Sequence, residues 1–470
     1  MRQLVAGVDS STQSTTVVII DAASGVTVAT GKAPHVVTGT DGARETDPEL
    51  WWAALRDALT ATGHAPDIAA ISVAAQQHGL VVLDADGRPL RPAVLWNDTR
   101  SGPQTARLVA ALGRETWATR MGTVPVPSIT VTRWVWLRET EPDVAAATRS
   151  IRLPHDFLTE RLCGRGVTDR GDASGTGWWS TATGAYDEGI LAMPEVELDP
   201  GMLPEVLPPD GVAGAVTAAA AAFLGIPAGI PVGPGSGDNA GAALGLGLTP
   251  GIPVVSLGTS GVAFAVSVTR PVDPSGMVAG FADASGHFLP LTATLNCTLA
   301  VDRVAGWLGL DREAVSPSDG VVVLPWFDGE RTPNLPDAQA AFLGLRHDTA
   351  PGAILGATYE GAVVGLLEAI DAIGACSDPL PADAPIVLVG GGARGASWRD
   401  TVRRLSGRGV LVPEDPDLVA RGAAAQAAAA LRGTDPIKVQ SGWVISDQVV
   451  LEPMAVDEAV LERYRRVREG

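Results

Sequence analysis

"LVAGVDSSTQSTTVVIID", residues 4 to 21, reads as a β-branched strand, a turn of small hydroxyl residues after Asp9, and a second strand ending near Asp21. "PVVSLGTSGVAFAVS", residues 253 to 267, repeats that plan in other letters: an apolar run, a Gly-Thr-Ser-Gly turn, and a second β-rich run. The spacing between the two is roughly half the chain, so the plan occurs once in each half. A boundary falls in the glycine-rich "GLGLTPG" at 245 to 251, giving a first lobe over 1–245 and a second over 246–470.

Working outward, "IAAISVAAQ" (68 to 76) and "GLVVLDADG" (79 to 87) read as strands around a turn. "DPELWWAALRDALTA" (47 to 61) reads as a helix with Asp47 as N-cap and Pro48 in the first position. "SITVTRWVWLRETEP" (128 to 142) is a second helix, ended before Pro142. In the second half, 352 to 374 is a long helix with few polar positions, which predicts deep burial. Residues 384 to 407 go from strand through a triple-glycine turn into a helix, and 415 to 433 and 457 to 470 supply the last helices. Strands alternate with helices in both halves, so the class is α/β.

Composition narrows the function. Hydrophobic residues make up 46% and charged residues 19% of 470, as in a folded chain with ample core. A formal net charge of −19 argues against a nucleic-acid or anionic-membrane partner. Cys163, Cys297 and Cys376 are few and far apart, which points to neither a disulfide framework nor a thiolate metal site, and makes a reducing cytoplasm the expected compartment. The first twenty residues are interrupted by Asp9 and hydroxyl residues, so no signal peptide is expected, and no apolar run reaches the ~18 residues that span a bilayer. The only lysines, Lys32 and Lys438, precede Ala33 and Val439, which excludes a P-loop and a protein-kinase strand lysine.

Four places could carry chemistry. Asp9-Ser10-Ser11-Thr12 is either a turn that satisfies its own backbone or a loop whose amides grip phosphate, with Asp9 facing a metal ion through water. Its counterpart, Gly258-Thr259-Ser260-Gly261, favours the second, since two facing turns can hold a polyphosphate between them. Gly390-Gly391-Gly392-Ala393 after an apolar strand is either tight-turn geometry or a surface for something planar. Gln76, Gln77 and His78 form a polar run that is costly to bury without partners and would suit a polyhydroxylated ligand; Trp96 adds a face on which sugars stack. A core histidine and a core tryptophan are the alternatives. Asp238, alone among small residues in "GSGDNAGAALGLG", is either a helix N-cap or a general base.

Taken in this order, from the Asp9 hairpin to about Ala430, the sites resemble the FGGY family of carbohydrate kinases, within the actin and hexokinase superfamily. "GVDSST" and "SLGTSG" resemble its two phosphate loops, "GGGARGASW" its adenosine loop, and "GSGDNAGAALGLG" the segment bearing its catalytic aspartate. "QQHG" (76 to 79) and "LRPAVLWNDTR" (90 to 100) are most similar to members that act on D-xylulose. The resemblance implies two ribonuclease-H-like lobes around a central cleft, a small-molecule sugar and ATP as partners, and Mg²⁺; it leaves a homodimer open. It implies phosphorylation of the sugar at C5 in pentose catabolism, with ribulose, glycerol and gluconate as rival acceptors and an actin-type ATPase without an acceptor as the rival class. The residues it assigns are Asp238 as base; Gln77, His78, Trp96, Asp238 and Asn239 for sugar; Ser11, Thr12, Gln13, Gly258, Thr259, Ser260, Gly391, Gly392 and Ala393 for ATP; and Asp9 with Asp238 for metal. Ser11 replaces a usual glycine, Gln77 a methionine, Arg133 a lysine and Ala353 a polar residue, while Thr16 stands where a cation is common, leaving the phosphate grip less cationic.

Overall fold

A computed structural model describes residues 3–443 and 447–469. The first sheet is built from β1 (Leu4–Ser10), β2 (Ser14–Asp21), β3 (Thr27–Pro34), β4 (Ile68–Ala75), β5 (Gly214–Ala215), β6 (Pro231–Val232) and β7 (Ser236–Gly237). Its order is β5-β6-β4-β1-β2-β3, with β7 also on β4. The second contains β8 (Val254–Leu257), β9 (Gly261–Phe264), β10 (Ala279–Ala282), β11 (Phe288–Thr294), β12 (Ile386–Val389), β13 (Val410–Pro413) and β14 (Gln448–Leu451), in the order β10-β11-β9-β8-β12-β13-β14. In each, an antiparallel hairpin (β1–β2, β8–β9) lies beside a parallel strand (β4, β12). The plan legible twice in the sequence is thus the centre of each sheet.

The helices that position the site are α1 (Pro48–Thr62), α2 (Thr130–Thr140), α3 (Pro154–Cys163), α4 (Arg170–Ser174), α5 (Asp238–Gly245), α6 (Thr298–Leu308), α7 (Pro351–Cys376), α8 (Ala396–Ser406), α9 (Leu418–Arg432) and α10 (Glu458–Glu469). Asp47 caps α1 as expected, its carboxylate accepting from the Glu49 amide at 3.0 Å. Helix α1 buries Trp51, Leu55 and Leu59 in one core with the first sheet, and α7 and α8 bury Tyr359, Leu366 and Trp398 in another with the second. Helix α7 is long and apolar enough to cross a membrane by length and composition, yet 78% of its most apolar window is buried inside the protein. That burial accounts for its few polar positions.

Helices α5 and α9 pack between the two sheets, in a third core that includes Val5, Ala240, Phe264, Val387 and Ala424. Their small residues have a steric cause: a side chain at Gly422 would overlap the Gly241 carbonyl, and one at Gly7 the Ala420 carbonyl. Although α9 comes from the last quarter of the sequence, it covers β1 and β4 of the first sheet.

Two local expectations change. Residues 68–76 and 79–87 do not form one hairpin: β4 enters the first sheet, whereas Val81–Leu83 pairs with Ser150–Arg152. Between them His78 takes a left-handed turn at φ 66°, which sends the chain elsewhere. The segment 434–452, unassigned from sequence, packs Trp443 onto the Ala22 carbonyl (2.8 Å) and adds β14 to the edge of the second sheet; residues 444–446 and the last residue of the predicted helix, 470, lie outside the described residues.

Candidate active site

Hairpin β1–β2 places Asp9 near the end of its first strand, half-buried and within range of the Asp238 charge. Ser11 Oγ donates to both of its carboxylate oxygens, at 2.8 and 2.9 Å. Burial pushes the Asp9 pKa up to about 7; the Ser11 bond opposes this, the charges of Asp238 and Asp417 add to it, and Lys32 opposes it. Thr16 lies directly opposite Asp9, and Lys32 directly opposite Thr16 on β3. Lys32 thus stands one strand further out than Thr16, close enough for its charge to act on Asp9.

Asp238 is the first residue of α5 rather than its cap; Gly237 occupies the cap position. Gly237 makes no side-chain cap bond at this end of the helix. Asn239 donates to Asp238 Oδ1 twice, from its backbone at 2.8 Å and from Nδ2 at 2.9 Å. Burial raises the Asp238 pKa to about 6 against these bonds.

Beside Asp238 stands the polar run. Gln77 Oε1 accepts from Asn239 Nδ2 at 3.2 Å. Both amide atoms of Gln76 are buried with no hydrogen-bond partner among the described residues, and His78 Nδ1 closes no regular one, although the Gly175 backbone acts on the ring. The His78 ring lies 5.3 Å from Phe281, and burial, with the charges of Arg133 and Arg331, holds its pKa down at about 3, so it is neutral. Arg133 was noted in the sequence only as a departure, yet it organises this corner. Fully buried on α2, it donates to the carbonyls of His78 (2.9 Å), Trp96 (2.6 Å) and Ser128. Thr130 Oγ1 also donates to the His78 carbonyl, at 3.1 Å, which fixes the left-handed turn of a non-glycine residue. Trp96 is 37% exposed, and its indole N–H bonds Thr12 Oγ1 at 3.1 Å. The tryptophan thus joins the polar run to the first hairpin.

At the second hairpin, Gly258 in the β8–β9 turn is held by α6: its carbonyl accepts from Thr298 N (3.1 Å) and Thr298 Oγ1 (2.8 Å), and Thr259 is exposed. Gly390 needs its positive φ of 85°, and Gly391 faces open space. A cavity of about 500 Å³ is lined by Asp238, Asn239, Gly391, Ala393 and Arg394, with Glu414 and Asp415 among its other lining residues. Gly392 instead packs against Leu257. Ser11, Thr12, Gln13, Gly258, Thr259 and Ser260 are not among the residues lining that cavity.

One group of residues escaped the sequence reading. His155 on α3, with Asp169 and Asp172 flanking the start of α4, place one donor atom each within 4.8 Å of one another. His155 Nε2 meets Asp169 Oδ1 at 3.2 Å, and Nδ1 lies 3.1 Å from Asp156 Oδ1. Burial raises Asp156 to about 8, pushes Asp169 above the ordinary carboxylate range, and lowers His155 to about 3. The signal available was the pair of aspartates in "TDRGDASG", 168 to 175, but nothing local ties it to Gln77 or His155.

Residues 4–245 match the model of the FGGY family of carbohydrate kinases, N-terminal domain, and residues 254–431 that of its C-terminal domain. The chain is 58% identical over 469 residues to a protein of Streptomyces coelicolor named xylulose kinase, covering 99% of this chain and 95% of that one. A xylulose kinase of Streptomyces rubiginosus is 56% identical, with the same coverage of both. The crystal structure of xylulose kinase from Bifidobacterium adolescentis superposes with a TM-score of 0.88 at 36% identity, over 99% of each chain. Two lobes built on one repeated sheet plan, a carboxylate at the mouth of a small-residue helix, and matches to both domains across nearly the whole chain lead to one assignment: this chain belongs to the FGGY family of carbohydrate kinases.

Proposed function

We propose that the chain transfers the γ-phosphoryl group of ATP to the C5 hydroxyl of D-xylulose, giving D-xylulose 5-phosphate and ADP. The observation that carries this reading is the 58% identity, over nearly the whole chain, to a protein named xylulose kinase. Asp238 takes the hydroxyl proton as the C5 oxygen bonds the γ-phosphorus; the bond to the β-phosphate oxygen breaks and its electron pair leaves with ADP. With a pKa near 6, Asp238 is a stronger base than an ordinary carboxylate and is still ionised at neutral pH. Neutral His78 carries one ring N–H donor and one bare acceptor nitrogen, of which the Gly175 backbone engages one side, and the orphaned Gln76 amide offers both a donor and an acceptor. The buried, unpaired amide atoms of Gln76 argue for a small polyhydroxylated acceptor over an ATPase without one.

Asp9 and Asp238 present hard carboxylate oxygens close enough for one charge to raise the other, a donor set that fits Mg²⁺. An ion held there by Asp9 and Asp238 would supply neutralisation of phosphate charge. The amides of the two hairpin turns grip the phosphates, and Gly391 leaves room for the nucleoside. All three cysteines are free, which suits the reducing cytoplasm.

The test is a panel of D-xylulose, D-ribulose, glycerol and gluconate with ATP. D-xylulose is expected to lead in kcat/KM by about 10-fold or more; another leading acceptor overturns the assignment. Asp238→Asn is expected to lower turnover by roughly 10²-fold or more while sugar binding changes little.

A further inference from the structure

Asp172 is fully buried, yet neither of its carboxylate oxygens closes a regular hydrogen bond among the described residues. A carboxylate in that position is costly unless its neighbours use it. On one side Oδ2 lies 3.9 Å from His155 Nε2. Burial, with the charges of Asp169, Asp156 and Asp238, pushes its carboxyl well above the ordinary range, and the Gln77 amide on the other side acts against that rise. Gln77 and Asp172 straddle Gly237: a Cβ there would meet Gln77 Nε2 at 2.6 Å and Asp172 Oδ1 at 2.7 Å.

From this point polarity runs one way. Ionised, Asp172 only accepts; holding a proton on the His155 side, it still turns an acceptor oxygen toward Gln77. Either state selects the NH₂ end of the Gln77 amide. That leaves Gln77 Oε1 to accept from Asn239 Nδ2, and Asn239 to donate twice to Asp238 Oδ1. Both of those bonds fall on Oδ1, so Oδ2 is the oxygen left for the substrate hydroxyl.

We propose that Asp172 is a positioning residue for phosphoryl transfer, acting through Gln77 and Asn239 to fix which oxygen of Asp238 faces the acceptor. The inference rests on the reading of Asp238 as base. It gives Gln77 a function that methionine at the same position could not perform, since a thioether has no N–H to be oriented.

A double-mutant cycle tests it. Asp172→Leu removes the acceptor, and is expected to lower kcat for the sugar about 10-fold with the KM for ATP unchanged. In a Gln77→Met background, where the chain of bonds is already cut, the same change is expected to cost less than about 2-fold. Asp172→Asn, which keeps an acceptor oxygen, is expected to stay within about 3-fold of the parent. Equal losses in both backgrounds, or Asp172→Leu at the parent rate, overturn the proposal. Should Asp172→Leu fail to fold by thermal melting, Asp172→Ser takes its place, because its hydroxyl is too short to reach Gln77. Asp238→Asn, assayed in parallel, separates the two readings: an inactive Asp238→Asn with equal losses in the cycle removes the positioning role alone, whereas an active Asp238→Asn removes both.

Discussion

The two hairpins share a backbone plan and differ in what they carry. At β1–β2 the turn is charged and tied inward: Asp9 is clamped by Ser11, faces Asp238 and Asp417, and is answered by Lys32, while Thr12 holds the Trp96 indole. At β8–β9 the turn has no titratable side chain, and it is held by its backbone, through Thr298 at the start of α6. The first sheet therefore carries a titratable turn and the second one without a titratable side chain. A repeated fold need not repeat its chemistry.

The largest expected effect breaks the comparison at its charge. Asp9→Asn is expected to lower turnover about 10²-fold and raise the Mg²⁺ concentration for half-saturation, whereas Ser260→Ala on the other turn costs less than about 5-fold. Steady-state rates over a Mg²⁺ titration check both; equal losses would make the turns equivalent.

Next in size is the hydroxyl pair. Thr12→Val and Thr259→Val are each expected to raise the KM for ATP roughly 5-fold, the worth of one hydrogen bond, with little change for the sugar. Only Thr12→Val also frees the Trp96 indole, so only that variant is expected to shift the tryptophan emission. A shift in both, or in neither, would break the asymmetry.

The smallest effect is on stability. Asp9 near 7, Asp156 near 8 and Asp169 all sit above the ordinary carboxylate value, so the folded protein holds protons that the unfolded chain releases. Their stabilisation is fully present below about pH 4 and is lost as pH rises through 7 to 8. His78 and His155, held near 3, act oppositely, but only below about pH 6.5. Between pH 6.5 and 8 the melting temperature of the ligand-free protein is therefore expected to fall. Asp9→Asn makes that fall shallower by roughly 1–2 °C, and Thr259→Val leaves it unchanged. Calorimetry across that range checks it.

The hairpins, the triple-glycine turn and the capped helix at Asp47 were legible because each is written in consecutive residues: β-branched runs, turn residues, an N-cap followed by proline. The polar run at Gln76 to His78 was legible for the same reason, as an expensive pattern at a strand end. The path of the chain around it was not, because the left-handed turn at His78 is imposed by Arg133 and Thr130, more than fifty positions away. Nor did local pattern place Asp238 one residue inside α5, since capping preference is local while the approach of β7 along β4 is not. The smallness of α5 and α9 could be read, but not its cause, which is their close approach to each other and to β1. The sequence by itself therefore determined the two hairpins, the strand and glycine turn before α8, the helices α1 and α7, and that two sheets follow one plan. Only the tertiary structure brought Asp172, Gln77 and Asn239 around one glycine, because hydrogen-bond direction and burial depend on neighbours in space that no local spacing records.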